Sequence, residues 1–200
     1  MEETRKPRLL VIVASVRDGR VGKAVADWFV DFARAHDAFE IEVADLKELD
    51  LPLMTEPNHP RLKDYTQEKT WEWSRMVEAA DAFAFVMPEY NFAATAPLIN
   101  ALDYLVQEWA YKPVGLVTYG GVSAGLRAAQ SIKPLVTTLS MMPIKEAIAI
   151  QWVAKQVDDD GRFEPIESHI SSGTAMLDAL VKWERALSTM RAPESVGATR

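Results

Sequence analysis

A short basic segment follows the first apolar run of this 200-residue chain and carries residue types that bind anions. It reads SVRDGRVGK, residues 15–23. Hydroxyl and guanidinium groups can donate hydrogen bonds to a phosphate, and glycines let the backbone approach it closely. If a helix begins here, its free N–H groups add positive partial charge. The residues concerned are Ser15, Arg17, Gly19, Arg20 and Gly22.

Two common nucleotide-binding motifs are absent from this segment. Its only glycines are Gly19 and Gly22, so the dinucleotide fingerprint G-x-G-x-x-G is incomplete. Ala24 follows Lys23 where a Walker A loop requires Ser or Thr, which argues against a nucleoside triphosphatase. A mononucleotide at the end of the first strand is the remaining common choice. The alternative is a solvated turn with ordinary surface arginines.

Two further turns follow apolar runs and carry unusual residues. Pro88–Phe92, sequence PEYNF, offers two aromatic rings and an amide, which suit a flat heterocycle, although its tyrosine could equally cap the core. Thr118–Ser123, sequence TYGGVS, contains adjacent glycines that would let main-chain N–H groups reach a ligand edge. Those glycines could also serve a plain strand-to-helix turn. We expect Ser123 to be a helix N-cap.

The overall composition narrows the chemistry. The formal net charge is −7, which argues against a general binder of nucleic acid or of membrane surfaces, because both are polyanionic. The chain has no cysteine, so disulfides, thiolate nucleophiles and zinc–thiolate or iron–sulfur sites are excluded. Its three histidines are scattered, and we expect no metal site. No apolar run resembles a membrane span or a signal peptide, so we expect a cytoplasmic protein.

Apolar runs and helical periodicity alternate along the chain. The apolar runs predict five strands, of which the second is less buried than the first; they lie at residues 9–14, 40–46, 82–87, 113–118 and 144–150. The periodicity predicts helices between and after them, at about 21–34, 66–79, 96–106, 123–139 and 171–191. Alternating strands and helices indicate a parallel sheet covered on both faces. We predict one doubly wound α/β domain over residues 1–200, with a core of about 8–191 and a disordered tail, 192–200.

In such an open α/β sheet, ligands bind beyond the carboxyl ends of the strands, where the strand order reverses. The basic segment and the two later turns all follow the carboxyl ends of predicted strands. We therefore expect the three turns to contribute to one ligand site.

Together these segments resemble the NADPH-dependent FMN reductase family, whose fold is a flavodoxin-like three-layer α/β/α sandwich. The likeness rests on the order and spacing of four motifs: the loop at 15–22, PEYN at 88–91, PLINALDY at 97–104, and KPV at 112–114 leading to YGG at 119–121. It implies an FMN-dependent NAD(P)H oxidoreductase. Such an enzyme would transfer hydride from NAD(P)H to bound FMN and electrons on to a small-molecule acceptor such as a flavin, quinone or azo compound.

The resemblance also assigns roles to residues of the three turns. The first turn would hold the FMN phosphate, residues 88–91 would line the isoalloxazine ring, and the paired glycines would meet its pyrimidine edge. The implied cofactor-binding residues are Ser15, Arg17, Arg20, Val21, Gly22, Pro88, Glu89, Tyr90, Asn91, Phe92, Tyr119, Gly120 and Gly121. No side chain is expected to act as a catalytic acid or base. Members of the family commonly pair through helices, so a homodimer built partly from 96–109 is implied.

The chain departs from the family pattern beside the expected ring. Ala14 stands where glycine is usual, Ile99 stands where lysine is common, and the run Phe92–Ala96 replaces polar, glycine and proline residues.

Two alternative functions stay open. One is a flavodoxin-type electron-transfer protein without nicotinamide activity, and the other is a scaffold that has lost its cofactor.

Overall fold

A computed structural model describes residues 5–191. Five strands form one sheet in the order β2-β1-β3-β4-β5, and every neighbouring pair is parallel. The strands are β1 (Arg8–Val13), β2 (Glu40–Asp45), β3 (Ala82–Pro88), β4 (Pro113–Tyr119) and β5 (Met142–Ile150). The predicted doubly wound, five-stranded parallel sheet is confirmed.

Helices cover both faces of this sheet. One face carries α1 (Gly22–His36) and α6 (Glu167–Arg191), and the other carries α2 (Leu46–Leu49), α3 (Glu68–Ala79), α4 (Ala96–Asp103) and α5 (Leu126–Thr138). Because successive side chains of a strand point to opposite faces, each strand serves two cores. In β1, Leu10 and Ile12 enter one core while Leu9 and Val11 enter the other.

Burial explains the sequence pattern of the strands. Every residue of β3 and β4 is buried, so these strands are continuous apolar runs. The edge strand β2 is less buried than β1, as predicted, and Ala44 is its one buried residue. Its apolar alternation does not mark a buried face, because Val43 is 42% exposed. The indole of Trp73 on α3 is fully buried and donates to the Ala101 carbonyl oxygen at 2.8 Å, which fixes α3 against α4.

Several element boundaries differ from those predicted. Helix α2 is a single turn that the sequence pattern does not predict, and its first residue, Leu46, was expected to end the second strand. Asp45 caps it by accepting a hydrogen bond from the Lys47 N–H at 3.0 Å. Helix α4 ends at Asp103, and a separate 3-10 turn follows at Gln107–Trp109. Strand β5 and helix α6 both begin earlier than predicted, and α3 begins two residues later.

Ser123 is not a helix N-cap, so that prediction is wrong. Helix α5 begins at Leu126, and its cap position is Gly125, with a φ of 82°. A side chain at Gly125 would be strained by this backbone conformation and would place its Cβ 2.6 Å from the Cβ of Thr118. The tight turn at this glycine delays the start of the helix beyond Ser123.

The fold brings three turns to one edge of the sheet. The strand order reverses between β1 and β3, the place where ligands bind in open α/β sheets. The Ala14 N–H donates to the Val86 carbonyl oxygen at 3.0 Å, and the Glu89 N–H donates to that of Tyr119 at 3.0 Å. These bonds join the turns after β1, β3 and β4.

The predicted tail, 192–200, lies outside the described residues. Within residues 5–191, no helix has the length and apolar character needed to cross a membrane.

Candidate functional site

A cleft of about 220 Å³ lies where the turns after β1, β3 and β4 meet. Ligand pockets commonly measure about 300–1,000 Å³, so this cleft could enclose only part of a mononucleotide. Nine of the predicted cofactor-binding residues line it: Ser15, Arg17, Arg20, Val21, Pro88, Glu89, Tyr90, Tyr119 and Gly120. The other four do not line the cleft, but each lies one or two positions after a residue that does; they are Gly22, Asn91, Phe92 and Gly121.

Helix α1 begins beside the cleft without a side-chain cap. Its N-cap residue, Val21, makes no side-chain hydrogen bond to the helix, and the first turn has no acidic residue. The first N–H groups of a helix have no intrahelical partners. A bound phosphate would satisfy them and would interact favourably with the positive end of the helix.

Packing requires glycine at position 22. A Cβ on Gly22 would lie 2.0 Å from the hydroxyl oxygen of Tyr119 and 2.9 Å from the Cζ of that ring. Both distances are far below van der Waals contact. The absence of a side chain therefore allows the Tyr119 hydroxyl to lie directly against the first turn of α1.

The two arginines of the β1–α1 loop have different surroundings. Arg20 donates to both carboxylate oxygens of Asp45 at 2.6 Å and to the Ser15 carbonyl oxygen at 2.6 Å. The hydrogen bonds to Asp45 raise the pKa of Arg20 above its ordinary value. Arg17 is exposed, and its guanidinium carbon lies 5.7 Å from the centre of the Tyr90 ring. Arg17 is thus accessible at the cleft, whereas Arg20 is bound to Asp45; contact of either arginine with a phosphate stays a prediction.

Three hydroxyl groups approach one another beneath the β1–α1 loop. Ser15 Oγ and Tyr90 Oη share a hydrogen bond of 2.9 Å. Tyr119 is 3% exposed, and its hydroxyl has no hydrogen-bond partner among the described residues. Burial, reinforced by the neighbouring Tyr90, raises the pKa of the Tyr119 hydroxyl, and the nearby Ser15 hydroxyl and Arg20 only partly oppose this rise. The group therefore stays protonated at neutral pH, while Ser15 Oγ is hydrogen-bonded to Tyr90. A buried donor without a partner points to a missing acceptor, and a bound ligand would supply one.

The turn after β3 closes as a two-residue hairpin. Tyr90 and Ala93 exchange both backbone hydrogen bonds, at 3.1 and 3.0 Å. The two residues between them, Asn91 and Phe92, have φ values of 50° and 68°. Asn tolerates this left-handed conformation, but a Phe there is strained by about 1–2 kcal/mol. The hairpin turns Tyr90 toward Ser15 and leaves Phe92 at its tip, 66% exposed.

Glu89 connects this hairpin to helix α5. Its carboxylate accepts hydrogen bonds from the Arg127 backbone N–H at 3.0 Å and from Arg127 Nη1 at 2.9 Å. Burial would raise the pKa of Glu89, but hydrogen bonds from the Ser123 hydroxyl and from Arg127 outweigh it and hold the pKa below its usual value. Glu89 therefore caps α5 as a carboxylate, a role that local sequence assigned to Ser123.

The glycines after β4 lie against the end of β5, with Gly120 partly buried and Gly121 exposed. The Gly120 N–H donates to the Ile150 carbonyl oxygen at 3.2 Å, so it is not directed at a ligand edge as expected. A Cβ on Gly121 would lie 3.7 Å from the indole of Trp152. These contacts tie the turn to the end of β5, and they also bring Val153 into the cleft wall.

The sequence did not identify Asp45, Arg127 or Val153 as parts of the site. An acidic residue at the carboxyl end of a predicted strand is a signal that could have drawn attention to Asp45. Arg127 and Val153 carry no such local signal. Among residues 5–191 the structure contains no cluster of His, Asp and Glu side chains that could hold a metal ion.

Comparisons with known proteins connect this geometry to one family. A family model described as NADPH-dependent FMN reductase matches residues 7–155. An NAD(P)H-dependent FMN reductase of Schizosaccharomyces pombe is 40% identical over 126 residues, covering 62% of this chain and 63% of that protein. A protein of the same description from a Nectria species is 33% identical over 147 residues, covering 69% of this chain and 73% of that protein.

A solved structure has the same fold. A flavoenzyme NAD(P)H:(acceptor) oxidoreductase from Paracoccus denitrificans superposes with a TM-score of 0.69 at 22% identity, covering 90% of this chain and 98% of that one. At this identity the likeness concerns the fold alone. It agrees with the flavodoxin-like architecture expected from the sequence.

Proposed function

Because the chain belongs to the NADPH-dependent FMN reductase family, we propose that it is an oxidoreductase that holds FMN in the cleft and reduces it with NAD(P)H. Electrons then pass to a small-molecule acceptor. The relatives include proteins described as FMN reductases, quinone oxidoreductases and azoreductases, which supports a flavin, quinone or azo acceptor.

One observation carries the proposal: the N-terminus of α1, whose N-cap residue makes no side-chain cap, lies beside the buried hydroxyl of Tyr119, which has no partner within residues 5–191. Both features call for hydrogen-bond acceptors, and a phosphate ester supplies them. Ser15, Arg17 and the backbone at Val21 and Gly22 would hold this phosphate. The fit is consistent with a mononucleotide whose phosphate is enclosed and whose larger part lies along the turns.

The turn after β3 would provide the surface for the isoalloxazine ring of FMN. Pro88, Glu89 and Tyr90 line the cleft, and the hydrogen bond between Tyr90 and Ser15 links the ring-lining turn to the phosphate loop. The carboxylate of Glu89 is engaged by Arg127, so Glu89 has a positioning role. Asn91 is the first of the two residues at the hairpin tip, and its amide would contact a polar edge of the isoalloxazine ring.

Bound FMN would supply the redox chemistry, with uptake of two electrons and one proton as a hydride and onward transfer of the two electrons. A quinone acceptor takes up these electrons with two protons, one of them from solvent. The residues of this chain need only bind, orient and shield the reactants. Glu89 is ion-paired and Tyr119 stays protonated, which supports the expectation that no side chain of the cleft acts as a catalytic acid or base.

We also infer a homodimer, built from less of the chain than the resemblance implies. Within 96–109, Leu105 and Trp109 are fully buried in their own chain and cannot reach a partner. The exposed face of α4 includes Ile99, and it borders a groove of about 710 Å³ lined by Val16, Leu53 and Pro97. Sedimentation of the purified protein tests this state. A cytoplasmic location remains an expectation of the sequence.

Anaerobic titration tests the proposed activity. The purified protein is loaded with FMN, and its visible spectrum is recorded while NADH or NADPH is added. Bleaching of the flavin band by either nucleotide, and its recovery on adding a quinone, is the expected result. A flavin-loaded protein that neither nucleotide reduces would instead be an electron carrier of the flavodoxin type. A protein that takes up no FMN would be a scaffold.

A further inference from the structure

Phe92 combines backbone strain with exposure. It occupies a left-handed position, with a φ of 68°, in a turn that the reciprocal hydrogen bonds of Tyr90 and Ala93 enforce. Asn followed by Gly is the favoured pair in such a turn, so glycine would fit here with less strain. A buried ring could offset this strain by hydrophobic burial, but the Phe92 side chain is 66% exposed. The Phe92 ring therefore gains little stabilisation from burial within its own chain.

The exposed ring is nevertheless held in place. The guanidinium carbon of Arg127 lies 3.9 Å from the centre of the Phe92 ring, which is close cation–π contact. Glu89 holds this guanidinium by accepting a hydrogen bond from Arg127 Nη1, and it holds the Arg127 backbone by accepting a second from its N–H. A ring that is already ordered loses less conformational entropy when a ligand binds. With Arg127 over one face, the other face is available to a planar ligand.

Exposed apolar side chains precede Arg127 on the turn that leads into α5, and together with Phe92 they are called the rim of the cleft here. Glu89, two residues before the hairpin tip, lines the cleft itself. Val122 and Leu126, on the turn that leads to Arg127, are 65% and 55% exposed. The charge of Arg127 is balanced by Glu89, so this rim favours flat apolar molecules over anions.

We propose that Phe92 is a specificity-determining residue that stacks against planar aromatic acceptors, such as quinones, as they approach the cleft. This inference rests on the proposed FMN-dependent activity and names the acceptor class for the same site. A strained, ordered and exposed aromatic residue is explained by a substrate that covers it. Acceptors without a planar ring would gain nothing from Phe92.

The oxidative half-reaction tests this role directly. FMN-loaded protein is reduced anaerobically with dithionite and mixed with either a naphthoquinone or hexacyanoferrate(III), which has no planar ring. The measured quantity is the ratio of the two second-order rate constants. In Phe92→Leu the ratio should fall about 3–10-fold, since an aromatic pair contributes modestly beyond its area. Phe92→Trp should hold the ratio within about twofold, and Leu62→Ala, an exposed apolar change on a distant turn, should leave it unaltered.

A binding measurement without redox chemistry provides a second readout. Calorimetric titration of the oxidised, FMN-loaded protein with a redox-inert naphthalene should give a Kd about 3–10-fold higher for Phe92→Leu than for wild type. Phe92→Gly should show the same loss while its Tm stays within about 3 °C of wild type, because relief of backbone strain offsets the lost Arg127 contact.

Three results would overturn the inference. An unchanged ratio and Kd in Phe92→Leu would exclude stacking. A parallel fall in both rate constants would place Phe92 at the flavin. A change in dimerisation with an unchanged ratio would make Phe92 a contact between copies. In this test dithionite reduces the flavin in place of NAD(P)H. If NAD(P)H could not reduce the wild-type protein, the proposed function would be contradicted, but the role of Phe92 could still be measured. A protein that binds no FMN would contradict both.

Discussion

The guanidinium of Arg20 and the carboxylate of Asp45 join the β1–α1 loop to the carboxyl end of β2 through two parallel hydrogen bonds of 2.6 Å. Their side chains are only 9% and 10% exposed. Asp45 also caps α2. This pair therefore sets the position of the loop that we propose to bind phosphate.

Arg20→Ala should destabilise the protein by about 3 kcal/mol, because it leaves the Asp45 carboxylate largely buried and without its main partner. Urea unfolding measures this change. The double variant Arg20→Ala/Asp45→Ala should recover part of the loss, since no unpaired charge remains. A loss below about 1 kcal/mol for Arg20→Ala would contradict a structural role for the pair.

Arg17→Ala should weaken FMN binding about tenfold or more, because a hydrogen bond to a charged group contributes about 1.5–3 kcal/mol. Its effect on urea unfolding of the FMN-free protein should be within about 0.5 kcal/mol, since Arg17 is exposed. Fluorescence titration with FMN gives the affinity. Arg34→Ala, an exposed arginine in the last turn of α1, is the matched control and should leave it unchanged. Equal FMN affinities for Arg17→Ala and wild type would remove Arg17 from the site.

Tyr119→Phe should have opposite effects on stability and on ligand binding. It removes a buried hydroxyl without a partner, so the FMN-free protein should become more stable by about 1 kcal/mol. It also removes a donor from the site, so FMN affinity should fall about fivefold. Unfolding and FMN titration of the same preparations measure both. Stabilisation with unaltered affinity would mean that this hydroxyl does not contact the ligand.

Glu89→Gln should make the stability of the protein depend differently on pH. The pKa of Glu89 in the folded protein lies below the usual 4.5. Its stabilising contribution is therefore fully present above that usual value and is lost as pH falls through the folded pKa. At pH 7 the variant should be less stable by about 1 kcal/mol, a value that allows for the half-exposed Arg127.

Urea unfolding of both proteins from pH 7 down to pH 3 tests the Glu89 prediction, and the gap between them should narrow below pH 4.5. Glu68→Gln provides a control, because Glu68 pairs with Arg75 in full exposure on α3. The difference in unfolding free energy between Glu68→Gln and wild type should stay small from pH 7 to pH 3. A gap for Glu89→Gln that widens in acid would contradict the carboxylate cap.

The local sequence pattern was sufficient to predict the sheet and the edge of the sheet where the candidate site lies. Strands β1, β3 and β4 are apolar at nearly every position because both faces are covered, and this signal is present in the sequence itself. The turns after them carry the polar, aromatic and glycine residues, and parallel strands bring those turns to one edge. Nine of the predicted residues therefore line one cleft.

The partners of those residues depended on tertiary structure. Arg20 binds Asp45 and Glu89 binds Arg127 across 25 and 38 residues of chain. Such pairs follow from strand order and from where each helix begins. A shift of the cap position by two residues, from Ser123 to Gly125, was enough to give the capping role of α5 to Glu89.

The sequence by itself thus determined the α/β layers, the edge of the sheet that holds the site and the residue types gathered there, because hydrophobic periodicity and turn chemistry are local. Only the tertiary structure decided that Arg17 is accessible while Arg20 is ion-paired, and that Gly22 makes room for the Tyr119 hydroxyl. These outcomes are set by distances between segments that are remote in the chain, and close packing, rather than local preference, fixes those distances.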